Sequence, residues 1–235
     1  MKRFLPVIAA SALAAVALPV IAQADHKPGH AKPGKPTPPP ASGPNLTIKA
    51  TPPVTVYRGA TTISGNLKGP DNGGKRVVLR ADGFPYGTDI RNVATATTDS
   101  KGAYSFTRRP PRNTAYQAVA ETGATYGAVV SPAAFVKVRI RMSMRVSDAT
   151  PRVGQLVRLR GRACPTHNGL PVRVQRKTRS GSFRTVRSTT LRAATRCSAY
   201  RRAFRVYRDG TYRVTSDDAD HARGFSRPRF LNTPR

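Results

Sequence analysis

The sequence predicts an all-β chain built as two tandem antiparallel β-sandwiches. Three observations carry this: apolar residues alternate with a period of two, tight-turn dipeptides separate the runs, and the second half repeats the first at an offset of 95 or 96 residues. The repeat is the strongest of the three, because a recurring unit must bury its own apolar face or share it with its neighbour. Gly59 maps onto Gly154, Ile63-Ser-Gly65 onto Leu159-Arg-Gly161, and Val77 and Leu79 onto Val172 and Val174. Tyr104 maps onto Tyr200, and Tyr116 onto Tyr212. The boundary between the copies falls near Lys137.

Within each copy the alternation is that of half-buried strands. Val157 and Leu159 point one way while Arg158 and Arg160 point the other. Val172 and Val174 alternate with Arg173 and Gln175, and Tyr212 and Val214 flank Arg213. Asn168-Gly169, Ser180-Gly181 and Asp209-Gly210 divide the runs of the second copy. Asp71-Asn-Gly-Gly74, Asp82-Gly83 and Ser100-Lys-Gly102 divide those of the first. Asn-Gly and Asp-Gly supply the positive φ that tight hairpins need. No segment after residue 24 has a helical period, so six or seven short strands per copy are expected.

Residues 1–24 read as a signal peptide. Lys2 and Arg3 precede an uncharged stretch from Phe4 to Ala22, and Ala22-Gln23-Ala24 supplies a small-x-small cleavage box before Asp25. An uncleaved anchor is the rival, since the stretch is long enough to span a membrane, but Pro6, Pro19 and the box argue for cleavage. No second apolar span follows, so no membrane span is expected in the mature chain. Residues 25–45 are rich in Pro, Gly and Lys and cannot bury a core; they read as a disordered linker. Residues 46–137 and 138–235 are the two sandwiches.

Charge is the extreme feature of the composition, with 41 Lys+Arg against 11 Asp+Glu and a net charge of +30. Residues 25–138 carry net +9 and residues 139–235 net +19, where 23 of the 24 bases are arginine. Such a field attracts polyanions and is weakened by salt. Its bland explanation is arginine distributed freely over solvated faces.

Several runs are similar to the Ig-like repeats of secreted actinobacterial proteins. In the first copy these are Asn92-Val-Ala-Thr-Ala-Thr-Thr-Asp-Ser-Lys-Gly-Ala-Tyr104-Ser-Phe106 and Asn113-Thr-Ala-Tyr116. In the second they are Val172-Arg-Val-Gln-Arg-Lys177, Gly181-Ser-Phe-Arg-Thr-Val186 and Gly210-Thr-Tyr-Arg-Val214. The resemblance covers most of residues 46–217. It implies two tandem Ig-like antiparallel β-sandwiches, and a binding or spacer module with no enzyme attached. The second copy departs from the pattern where Ala194-Thr-Arg-Cys197 replaces the Thr-Asp-x-x-Gly turn.

In such a fold Cys164 closes the second strand of the copy and Cys197 opens the strand beside it, so an exported chain should bridge them. The bridge would lie within one sheet, unlike the inter-sheet bridge of antibody domains. Tyr116 and Tyr212 take the place of the tyrosine corner of sandwiches.

No catalytic constellation is present. The four histidines are His26 and His30 in the linker, His167 in the turn after Cys164, and His221 in a loop, and no nucleophile-elbow or zinc-protease motif occurs. No cofactor and no metal are expected. Asp217-Asp218-Ala-Asp220 lacks the ligand spacing of a calcium loop and is read as offsetting nearby arginine.

The arginine rows are the remaining functional signal. Arg158, Arg160 and Arg162 form one outward row, and Arg201 and Arg205 another. Arg173, Arg176, Lys177 and Arg179 edge the opposite sheet. Guanidinium forks suit sulfate, phosphate or carboxylate. The expected partner is an anionic polysaccharide or other envelope polyanion, with backbone-driven, sequence-indifferent binding to nucleic acid in vitro. A passive spacer and, more remotely, a small hydrolase are the alternatives. Cleavage after Ala24 is checked by the intact mass of protein from the culture medium, which should begin at Asp25.

Overall fold

The computed structural model of the chain describes residues 43–234. The expected signal peptide and residues 25–42 of the linker lie outside them. Among the described residues there are strands and no helix.

The first sandwich runs β1 (Asn45–Leu46), β2 (Lys49–Thr51), β3 (Val54–Val56), β4 (Thr61–Lys68), β5 (Arg76–Gly83), β6 (Ile90–Thr97), β7 (Ala103–Arg108), β8 (Thr114–Glu121), β9 (Ala128–Val130) and β10 (Ala134–Arg139). In one sheet β4 lies between β7 and the broken edge strand β1/β2. The other has the order β3–β10–β8–β5–β6, with β9 also pairing β8. The β3–β10 pair is parallel and the rest are antiparallel. The first edge strand thus begins in one sheet and crosses to the other, as in Ig-type sandwiches.

The second sandwich runs β11 (Arg141–Met142), β12 (Arg145–Val146), β13 (Gln155–Cys164), β14 (Pro171–Lys177), β15 (Phe183–Thr190), β16 (Arg192–Ala194), β17 (Cys197–Val206), β18 (Gly210–Ser216), β19 (Gly224–Phe225) and β20 (Arg229–Leu231). One sheet is ordered β11/β12–β13–β17–β16, the other β15–β14–β18 with β19 and β20 on the far edge. Both copies carry a bulge at the same place, between Leu79 and Arg80 and between Val174 and Gln175. Repetition of a local irregularity shows that the copies share geometry as well as pattern.

The alternation read from the sequence fills both interiors. Ile63, Leu67, Val77, Leu79 and Val136 are buried in the first core, and Val157, Leu159, Val172, Val174 and Val214 in the second. The two cores are separate clusters. β10 ends at Arg139 and β11 starts at Arg141, so Ile140 alone joins the copies, and its side chain belongs to the second core. A loop of the second sandwich returns to this junction. Ile140 N donates to Ala222 O (3.2 Å), Ala222 N donates to Val138 O (2.9 Å), and Asn113 N donates to Asp220 O (2.9 Å).

One polar bond recurs at the same point of each copy. The first edge strand breaks between β1 and β2, and again between β11 and β12. Tyr104 Oη donates to Thr47 O (2.5 Å) and Tyr200 Oη to Ser143 O (2.6 Å) at those breaks. Each bond passes over a glycine. A Cβ on Gly65 would lie 1.9 Å from Thr47 O, and one on Gly161 2.0 Å from Ser143 O. Tyr104 and Tyr200 are therefore the repeated tyrosines with a main-chain partner. Tyr116 and Tyr212 are core rings, and no main-chain acceptor meets their hydroxyls among the described residues.

The expected bridge is formed. Cys164 at the end of β13 and Cys197 at the start of β17 are joined with a Cα separation of 4.7 Å, next to the Ala163–Ser198 pair of the ladder. The bridge closes a loop of 33 residues, worth about 3–4 kcal/mol on the chain-entropy model. C164S/C197S protein should lose stability of that order in urea unfolding, with the far-ultraviolet spectrum of the folded state unchanged.

Candidate functional site

The outer face of the β12–β13–β17–β16 sheet carries a shallow groove of about 810 Å³. Its rim is five arginines, placed by the strand register. Arg145 on β12 lies opposite Arg160 on β13, and Arg160 lies opposite Arg201 on β17, so three bases form one row across the sheet. The next pairs place Ala199 between Arg162 and Arg192. Ala193, Ala199 and Ser143 leave the floor low, and long side chains stand around it.

Like charges directly opposite each other on a sheet disfavour the fold by a few tenths of a kcal/mol per pair. Among the described residues none of the five has a carboxylate within ion-pairing distance. The arrangement is held by the ladder beneath it, not by its charges.

The first sandwich supplies an internal comparison. The equivalent hollow, about 450 Å³, is lined by Thr47, Lys49, Ser64, Gly65, Asn66 and Tyr104 among others. The row there is Lys49–Ser64–Ser105, and Asn66 stands where the second copy has Arg162. One scaffold thus carries a nearly neutral hollow in one copy and a strongly basic one in the other.

Of the residues singled out in the sequence, Arg160, Arg162 and Arg201 meet in the groove. Arg158 shares their face but lies opposite Ala203, beyond the row. Arg205 is exposed opposite Leu156, and its guanidinium donates to Gly154 O at 2.8 Å. Arg173 is on the other sheet and paired with Asp217 (2.6 Å). Arg176, Lys177 and Arg179 gather in a second depression of about 510 Å³ with Arg184 and Arg208. Asp209 shares that depression, and Arg176 there donates to Asp209 O (3.0 Å). Arg145 and Arg192 were missed in the sequence, because strands of two and three residues are too short to display alternation.

The acidic loop divides its work. Burial favours the protonated form of Asp217, but hydrogen bonds and charge from Arg223 and Arg173 outweigh it and hold the carboxyl below its usual range. Asp218 does something the sequence did not suggest, since it lies between two histidines distant in the chain. His167 Nδ1 is 3.0 Å from Asp218 Oδ2, and His221 Nδ1 is 3.4 Å from Asp218 Oδ1. The rings meet edge to face at 4.8 Å. His167 is held in place through its main-chain N–H, which donates to Ser198 Oγ (2.7 Å) beside the disulfide. Burial lowers the His167 pKa, with Asp218 opposing the shift and His221 adding to it.

No protein-family model matches the chain, and no curated protein matches it. Among solved structures it is similar to the ectodomain of the teleost fish polymeric Ig receptor, at 12% identity and a TM-score of 0.34, over 80% of this chain and 98% of that one. A likeness that distant adds nothing to the strand pairings themselves. The class they define is a tandem pair of Ig-like antiparallel β-sandwiches.

A lowered histidine pKa means that the unfolded chain takes up the proton first, below about pH 6.5. Stability contributed by neutral His167 is therefore complete above that value and is lost as pH falls through it toward the folded pKa. Urea unfolding should show wild-type protein losing more stability between pH 7 and pH 5 than H167Q protein does.

Proposed function

We propose that this chain is an exported, non-catalytic Ig-like interaction protein whose second sandwich holds anionic envelope or extracellular polymers in the arginine groove. The observation that carries this reading is the row Arg145–Arg160–Arg201 with Arg162 and Arg192 beside it, unmatched by carboxylates among the described residues. The corresponding positions of the first copy are Lys49, Ser64, Ser105 and Asn66, so the fold itself does not call for arginine there.

The groove is open and floored by the small residues Ser143, Ala193 and Ala199, which suits a strand of polymer lying across a sheet. Planar guanidinium forks match sulfate, phosphate and carboxylate oxygens bidentately. With few aromatic residues on which bases could stack, nucleic acid would bind chiefly through its backbone. Export is supported by the residue 1–24 pattern and by a disulfide, which persists in oxidising compartments. Among the described residues no helix is long and apolar enough to cross a membrane.

The test is heparin and duplex-DNA binding as a function of sodium chloride. Each phosphate-like contact releases counterions, so the logarithm of affinity should fall linearly with the logarithm of salt, by about 0.9 per contact on duplex DNA. R145S/R160S/R201S protein should lose roughly 2–3 units of that slope while keeping the wild-type melting temperature or exceeding it. The reverse change in the first sandwich, S64R/S105R, should raise retention on heparin. Wild-type protein that passes through heparin at physiological salt would leave the chain a passive spacer.

A further inference from the structure

We propose that His167, Asp218 and His221 form a binding site for a divalent transition-metal ion of the zinc class at the seam between the two sandwiches. One donor atom from each of the three lies within 4.8 Å of the others. Two imidazole nitrogens and a carboxylate oxygen are a donor set that suits zinc, which takes three protein ligands and leaves a fourth position to water in open sites. Tetrahedral ligands about 2.0–2.1 Å from the ion stand roughly 3.3 Å apart, so small side-chain rotations bring the three into range.

The hydrogen bonding around the rings points to a ligand more directly than the composition does. His221 Nε2 lies 2.9 Å from Pro111 O, a carbonyl that can only accept. That nitrogen therefore carries the hydrogen, and in the neutral ring Nδ1 keeps a lone pair. The lone pair faces a carboxylate oxygen at 3.4 Å, which is acceptor against acceptor. The His221 side chain is 5% exposed, and its Nδ1 is buried without a hydrogen-bond partner. In His167 the roles are exchanged: Nδ1 lies 3.0 Å from Asp218 Oδ2, the side chain is 9% exposed, and Nε2 is the nitrogen left buried and unpartnered. Each ring thus has one orphaned nitrogen, and a buried polar atom without a partner costs about 1–3 kcal/mol. A cation taking up the lone pairs beside Asp218 removes that cost. The Nε2–H bond from His221 to a main-chain carbonyl is also the kind of outer contact that orients a ligating histidine.

Charge is the objection, since a chain of net +30 repels cations. Locally the balance is reversed. Asp217 is occupied by Arg173 and Arg223, but Asp218 accepts from the His221 main-chain N–H and faces both rings, and Asp220 acts on His167 as a further negative charge. An ion there would tie the turn anchored by Cys164 to the loop that carries Asp218. Through His221 and Pro111 it would also tie that loop to the first sandwich.

The test uses H26A/H30A protein, which removes the two histidines of the N-terminal segment. Calorimetric titration with zinc chloride should give one saturable site per chain, and zinc should raise the melting temperature. Cobalt(II) should give the intense visible absorption of a tetrahedral site. H167A and D218N should each weaken zinc by about tenfold or more, since even outer-contact losses reach that size. If either variant proves unfolded by circular dichroism, the cobalt spectrum of the H26A/H30A protein decides the matter alone. Folded H26A/H30A protein with no saturable zinc uptake and no cobalt band overturns the proposal, as does unchanged zinc affinity in folded H167A protein. In either case the two rings are a buried histidine pair on one carboxylate and nothing more.

Discussion

The bond from a tyrosine hydroxyl to the carbonyl of a broken edge strand is the constraint on which each sandwich is built. The edge strand has to leave one ladder and resume a few residues later, and a main-chain carbonyl is stranded at the break. Tyr104 and Tyr200 satisfy it from across the sheet, and Gly65 and Gly161 give the hydroxyl its passage. Side chains larger than hydrogen at those glycines would occupy the space of the carbonyl itself. Where the strand resumes, β2 and β12 regain pairing with β4 and β13, and the outward positions fall into rows. The arginine groove of the second copy stands directly on this feature, because the resumption at Arg145 places that residue opposite Arg160.

The division of labour between faces explains how the chain carries so much charge. Inward positions are apolar and fill two separate cores. Outward positions answer to no packing requirement, so they can be exchanged for arginine at little cost to the fold. Where a base comes close to the interior it is accommodated one at a time. Arg213 lies between the rings of Phe183 (3.8 Å) and Phe225 (4.3 Å), and its guanidinium also donates to Gln175. Arg173 and Arg223 share Asp217. The five groove arginines have no such arrangement among the described residues, and what sets them apart is that the strand register gathers them around one groove.

What could be read from the sequence was whatever repeats along it. Alternation marked β13, β14 and β18, the offset of 95 or 96 residues marked the two copies, and the placing of Cys164 and Cys197 on adjacent strands follows once those strands are drawn. The groove was half legible. Arg160, Arg162 and Arg201 sit on long strands with a clear period, whereas Arg145 and Arg192 sit on fragments whose pairing is decided by the tertiary fold. The histidine pair was not legible at all. His167 and His221 lie in loops 54 residues apart in the chain, and no periodicity governs where two loops meet. Tyr104 and Tyr116 look equivalent as repeated aromatics, and only the position of the glycine and the strand break distinguishes the one with a main-chain partner.

The disulfide also sets how far the molecule can be drawn out under tension. A load applied through the two ends of the chain reaches Cys164 and Cys197 and bypasses everything between them. The 33-residue span that includes β14, β15 and β16 stays slack even when the rest of the sandwich has been pulled straight. At about 3.4 Å per extended residue that withholds on the order of 110 Å of contour length. Under oxidising conditions the second sandwich is the shorter tether of the two, although its chain is no shorter than that of the first.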